Sequence, residues 1–194
     1  MHKLWYALDV EGDGAQPPNV IELALVELAG FELTGRCHHW RIKPPGKITP
    51  RVTQIHGITD DDVANAPDFE DIAGDVLELL EDAAILGHNV RVDLDALTRP
   101  LPDWRPLHAY DTMRLARICN PGLKSYALTN LAAALALQAK AAAISGSSAH
   151  NAPYDAVMAA LLMQRLFDGV AVDERAILLA RSDILAPDAQ GSLF

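Results

Sequence analysis

Three strand-length apolar runs fall within the first 43 residues, and helix-length patterns dominate the rest of the chain. Residues 3–10, 20–29 and 36–43 carry the β-branched and aromatic bias of strands. The Gly/Pro-rich GDGAQPPN and a short Gly-containing turn separate them, which predicts an antiparallel meander. Thr59 and Asp62 then form a capping box, and Phe69, Ile72, Ala73, Val76, Leu77 and Leu80 recur at helical spacing. AAILGH (83–88) and PLHAYDT (106–112) predict a fourth and a fifth strand, with helices over 92–99, 111–119, 126–138 and 153–167. A meander followed by strand–helix alternation implies an α/β fold, one mixed sheet with helices on its faces. The Ala-rich stretch 132–143 reads as helix and loop. A last helix is predicted over 172–186, ended by Pro187, which divides the chain into a domain of residues 1–170 and a C-terminal helix and tail of 171–194.

No apolar run approaches the ~18–20 residues that span a bilayer, and the acids in and after MHKLWYALDV are wrong for a signal peptide. A membrane partner is therefore not expected. Cys37 and Cys119 stand in no metal-ligand pattern and read as free thiols of a reducing cytoplasm, a single disulfide being the alternative. The net charge of −10 argues against wrapping a long nucleic acid. Its distribution weakens that objection: ten acids and no Lys or Arg lie in 57–90, whereas seven bases face four acids in 91–140. A locally basic flank of that kind suits a short nucleic-acid end.

The first strand poses a problem. Asp9 and Glu11 sit two apart at its end, on one face, with Cα atoms roughly 6.5–7 Å apart, and burying two like charges is costly unless a cation or a proton neutralises them. Acids stand beside structural punctuation in two further places. In GHNVRVD (87–93), His88-Asn89 closes the fourth strand and Asp93 enters the next helix; in SAHNAPYDA (148–156), His150 precedes a helix start fixed by Pro153, with Asp155 in its first turns. Helix starts favour ionised carboxylates. Four acids on one strand end and two helix starts can converge on a pair of hard divalent cations, the standard arrangement for attack of water on a phosphodiester. His150 is the candidate proton acceptor.

Asp9-x-Glu11, His88-Asn89-x-x-x-Asp93 and His150-x-x-x-x-Asp155, in this order, resemble the three motifs of the DEDDh 3′–5′ exonucleases. IELALVEL, IHGIT, DTMRLAR and PGLKSYAL match that family too. The last of these and HNAPYDAVMAALL look most like its exonuclease X-type members, beside the proofreading subunits of replicative polymerases. The position that holds tyrosine in the DEDDy branch is Asn151, which indicates the histidine branch.

The resemblance implies a ribonuclease H-like five-stranded mixed sheet. It implies two divalent ions, Mg²⁺ or Mn²⁺, with Asp9 bridging both, Glu11 and Asp155 completing the first site and Asp93 acting on the second through water. His150 becomes the general base. The substrate would be a single-stranded or frayed 3′ end of DNA or RNA, DNA favoured, held by a monomer or homodimer and released as nucleoside 5′-monophosphates. Substrate contacts fall on Val10, Gly12, Asp13, His88 and Asn89, although His88 and His56 also suit loop bracing and Asn89 also suits capping the next helix. Family members commonly read D-T-E-T-T-G where this chain has Asp9-Val-Glu-Gly-Asp-Gly14, and Val92 stands in place of Phe. Two other functions fit the same residues: a short-RNA exonuclease, and a catalytically weak module that binds ends or is recruited to a sliding clamp. For the latter, QGSLF (190–194) resembles the Q-L-[SD]-L-F clamp peptide, with Gln190, Leu193 and Phe194 as anchors.

Overall fold

The computed structural model describes residues 4–186. Five strands form one sheet: β1 (Leu4–Gly12), β2 (Val20–Ala29), β3 (Glu32–Arg41), β4 (Ala84–Gly87) and β5 (His108–Asp111), in the order β3-β2-β1-β4-β5. The first three are antiparallel, while β1–β4 and β4–β5 are parallel. Around the sheet lie α1 (Pro50–His56), α2 (Asp60–Val63), α3 (Phe69–Leu80), α4 (Arg91–Thr98), α5 (Thr112–Cys119), α6 (Leu128–Ala134), α7 (Gln138–Ser145), α8 (Ala152–Leu166) and α9 (Val172–Ser182). The expected mixed five-stranded sheet with helices on its faces is therefore present.

Alternation along β1 divides the core between two layers. Tyr6 and Leu8 pack with Ile72, Val76 and Leu80 of α3 and Leu94 and Leu97 of α4. Ala7 lies on the other face, in a cluster with Ala24 and Val26 of β2 and Ala152, Ala156 and Ala160 of α8. Asp9 and Glu11 share the face of Ala7 and so look towards α8. Alanines at i, i+4 and i+8 on α8, meeting alanines on β1 and β2, let the helix backbone approach the sheet closely. This helix is buried around most of its circumference, which is why its sequence shows little amphipathic contrast.

Strand β1 outruns β4. Ala7 pairs with Leu86, and one residue later β4 ends at Gly87. The chain turns there so tightly that a Cβ on Gly87 would stand 2.7 Å from Val90 Cγ2 and 3.3 Å from the Leu8 carbonyl oxygen. The turn brings the start of α4 against the unpaired edge of β1.

Several boundaries differ from the sequence expectation. Strand β1 continues through Gly12, so both acids lie within it. Strand β3 begins at Glu32, because Thr34-Gly35 is a bulge rather than a turn: the register shifts between Val26 and Leu28, and Gly35 has φ +87°. The helix expected over 126–138 breaks after Ala134, where Ala136 takes φ +55°, and the Ala-rich segment continues as α7. Helix α1 has no counterpart in the sequence reading. Helix α9 stops at Ser182, not at Pro187, because Asp183 leaves the helix to bind the edge of β5 through the Ala109 N–H (3.1 Å) and His108 Nδ1 (2.8 Å). Leu178 and Leu179 of α9 belong to the α8-side core.

Gly87→Ala should cost about 1–3 kcal/mol, the usual range for overpacking a tight site. Urea unfolding checks this; an unchanged midpoint would mean that the turn into α4 is not sterically fixed.

Candidate active site

The carboxyl ends of the parallel strands, β1, β4 and β5, lie at one edge of the sheet, where the starts of α4, α5 and α8 also gather. Asp9 and Glu11 extend from β1, and Asp155 from the first turn of α8. One carboxylate oxygen from each of these three lies within 4.8 Å of the others. Ala24, paired across from Asp9 on β2, keeps the space beside that carboxylate small and apolar.

Asp93 arrives from the opposite layer. It is buried on α4, and its Oδ1 accepts the Val10 N–H at 3.1 Å, the donor that β4 would have engaged had it continued. Asp93 thus closes the open edge of β1 and stands apart from the other three acids. His150 is exposed, with φ +62°, and its N–H donates to Asp155 Oδ2 at 3.1 Å. Asn89 shows the same left-handed backbone, φ +63°, at the start of α4. Non-glycine residues held in that region carry local strain, and here the two flank the acids at the helix starts.

Gathering like charges raises the pKa of each carboxyl group. Burial, then Asp155 and Glu22, push Glu11 up to about 7. Burial pushes Asp155 up to about 6, with Glu22 adding and His150 opposing. Asp9 is held well above the ordinary carboxylate range by burial and by Asp93, Asp155 and Glu11. Asp93 is raised as well, chiefly by burial, although the Val10 N–H opposes it. Oxygen donors only, in a cluster where burial and mutual repulsion disfavour the ionised form, fit a hard divalent cation.

The other expected site residues are not all turned towards the acids. Asp13 does not face the acids: it is buried at 1 % exposure, and its Oδ1 accepts the N–H groups of Ala15 (3.0 Å) and Asn19 (2.9 Å). Its backbone also binds Asn19 and Thr49, so this side chain folds the loop and is not free to touch substrate. Gly12 packs on Pro18, 3.0 Å from where its Cβ would be. His88 braces the fold, with Nδ1 2.9 Å from Thr112 Oγ1 and Nε2 2.9 Å from the Tyr126 carbonyl oxygen; burial lowers its pKa. Both ring nitrogens are engaged, which corrects its assignment to substrate. Asn89 does not cap α4, whose N-cap is Val90 without a side-chain bond; it is exposed at the site rim, its N–H held by Asp111 Oδ1 at 3.0 Å. Gln190, Leu193 and Phe194 lie outside the described residues. Cys37 and Cys119 are free thiols.

Two residues outside the expected set also shape the site. Asp111 caps α5 through the Met113 N–H (2.8 Å) while holding Asn89, and its position at the end of a strand before a helix was the available signal. Glu22, in the middle of the apolar run VIELALVELA, is fully buried beside the acids. A charge inside such a run was the signal there.

The RNase T exonuclease family model matches residues 7–163. A DNA polymerase III subunit epsilon of Rickettsia conorii is 30% identical over 84% of this chain and 73% of its own length. The 3′-5′ exonuclease DinG of Bacillus subtilis is 30% identical over 83% of this chain, which spans 17% of that larger protein. Among solved structures, exonuclease X in complex with 5′ overhanging duplex DNA superposes with a TM-score of 0.69 at 25% identity, covering 89% of this chain and 97% of the other.

Raised folded-state values mean that the folded protein binds more protons than the unfolded chain between the ordinary carboxylate range and about 7, so metal-free stability falls as pH rises through that window. In EDTA the melting temperature should drop between about pH 5 and pH 8, and Mn²⁺ should restore more of it at the higher pH. Calorimetry at both values checks this; an equal Mn²⁺ effect at each would contradict the charge argument.

Proposed function

Since the chain belongs to the RNase T exonuclease family, and is accordingly a 3′–5′ exonuclease, we propose that it removes nucleotides from 3′ ends of DNA with two divalent cations and a histidine base. The observation that carries this reading is the convergence of Asp9, Glu11 and Asp155 oxygens within 4.8 Å. Those three carboxylates would hold one cation, Mg²⁺ or Mn²⁺, and Asp9 with Asp93 a second. When bound, the cations supply charge to the scissile phosphate and lower the pKa of water.

The remaining steps fall to the chain's own groups. His150 takes a proton from the attacking water; its exposure and the bond from its backbone N–H to Asp155 keep it open to solvent beside the acids. Asp155 holds the His150 backbone while offering its carboxylate to the site. Backbone at Val10 and Gly12, and Asn89 at the rim, would meet the terminal nucleotide, while Asp13 keeps the loop behind them folded. A DNA substrate is supported by the names of the relatives, a DNA polymerase subunit and an exonuclease bound to duplex DNA. Free thiols at Cys37 and Cys119 suit a reducing, cytoplasmic setting. Docking to a sliding clamp through Gln190, Leu193 and Phe194 rests on the peptide pattern alone.

The test uses 5′-labelled single-stranded DNA, recessed duplex and RNA with Mg²⁺, Mn²⁺ or EDTA. A ladder shortening from the 3′ end should appear with either cation and vanish in EDTA or with Asp155→Ala. His150→Ala should lower kcat about 10²–10⁴-fold, the usual worth of a general base. A ladder that survives EDTA or Asp155→Ala would overturn the metal mechanism, and RNA cleaved faster than DNA would overturn the substrate assignment.

A further inference from the structure

Helix α8 begins immediately after Asn151, and its start lacks a cap of its own. Asn151 occupies the N-cap position, a residue type that ordinarily accepts an N–H from the first turn, yet it makes no such bond. Its side chain turns away, and its Nδ2 donates to Glu22 Oε1 at 3.3 Å. The first helical N–H, that of Ala152, goes to Glu22 Oε2 at 3.0 Å. Helix capping is therefore supplied from β2, by a glutamate at 0 % exposure.

The same carboxylate is gripped from the other side. His39 Nε2 lies 2.7 Å and Arg41 Nε 3.1 Å from Oε1, both on β3. Arg41 pairs across from Glu22, and Glu22 in turn pairs across from Glu11. A line of side chains thus runs from the outer strand through Glu22 to the first turn of α8, passing beside Glu11. A buried carboxylate engaged by this many charge-assisted donors is held in place, and so it locates the backbone amide of Ala152. The turn between them is held on its far side by the bond from the His150 N–H to Asp155.

We propose that Glu22 is a positioning residue for catalysis: it caps α8 from β2 and thereby sets where His150 and Asp155 stand relative to Asp9 and Glu11. It touches neither substrate nor the reacting atoms. The inference deepens the exonuclease reading and rests on it for its kinetic consequence, while its structural consequence is read without activity. Misplacing a catalytic group by a fraction of an ångström slows the chemical step more than it weakens substrate binding.

The experiment compares the full-length protein with Glu22→Gln, and with Glu27→Gln as control. Glu27 is also a buried β2 glutamate, but its ion pair is with Arg36 and it lies away from α8. Gln keeps the shape of Glu22 and cannot accept at both oxygens. On 5′-labelled single-stranded DNA with Mg²⁺, Glu22→Gln should lower kcat at least tenfold with KM within threefold. Amide exchange at Ala152, followed by NMR, should quicken at least tenfold, while Glu27→Gln leaves kcat and this amide unchanged. A folded Glu22→Gln protein with kcat within twofold of the parent and unchanged Ala152 exchange would overturn the proposal, as would equal losses in both variants. Should Glu22→Gln fail to fold, Asn151→Ala removes one of the two bonds that the start of α8 makes to the carboxylate and should lower kcat at least threefold; unchanged kcat there overturns it equally. A parent protein without nuclease activity would refute the exonuclease reading and leave the Ala152 exchange as the measure of this one.

Discussion

Asp9, Glu11 and Asp155 repel one another, and much of the surrounding architecture holds them together against that repulsion. Their oxygens converge within 4.8 Å, a spacing at which unscreened like charges in a partly buried site cost several kcal/mol. Two come from one face of one strand, so the pairing of β1 with β2 fixes the spacing of their Cα atoms. The third rides on α8, whose alanines seat it against the sheet and whose first N–H is tied to Glu22. In the cation-free protein burial and mutual repulsion raise the pKa of each of these acids, and a bound divalent cation would offset the same repulsion. Stability, metal affinity and chemistry are thus three readings of one electrostatic problem.

The opposite edge of the site depends on the length of β4. Because that strand stops at Gly87, the Val10 N–H is left for Asp93, and the fourth acid approaches from the other layer of the molecule. A longer β4 would pair with Val10 and exclude α4 from this position. The bond also explains why Asp93 stands apart from the three clustered carboxylates while still raising the pKa of Asp9.

Much of this was legible in the sequence because it rests on periodicity. Asp9 and Glu11 interrupt an apolar strand two residues apart, and Pro153 marks a helix start beside His150 and Asp155, so three separate motifs could be assigned to elements before their distances were known. The misplaced boundaries share a cause: tertiary contacts overrode local signals. Thr34-Gly35 has turn chemistry but sits as a bulge within a paired strand, Ala136 breaks an Ala-rich helix that composition alone would continue, and Asp183 ends α9 because β5 offers it donors. Asp13 looked available for substrate because it lies just beyond Glu11 in a Gly-rich loop; only the fold reveals two backbone N–H groups waiting for it in the interior. Glu22 went unassigned because its partners, on β3 and at the start of α8, are distant in sequence.

The central claim is that the three clustered carboxylates exist to bind a cation. Anomalous diffraction from a Mn²⁺-soaked crystal tests it most directly. The account predicts a peak bonded to oxygens of Asp9, Glu11 and Asp155, absent from an Asp9→Asn crystal soaked in the same way. Mn²⁺ bound at other residues with this cluster empty, or bound here undiminished in Asp9→Asn, would contradict it.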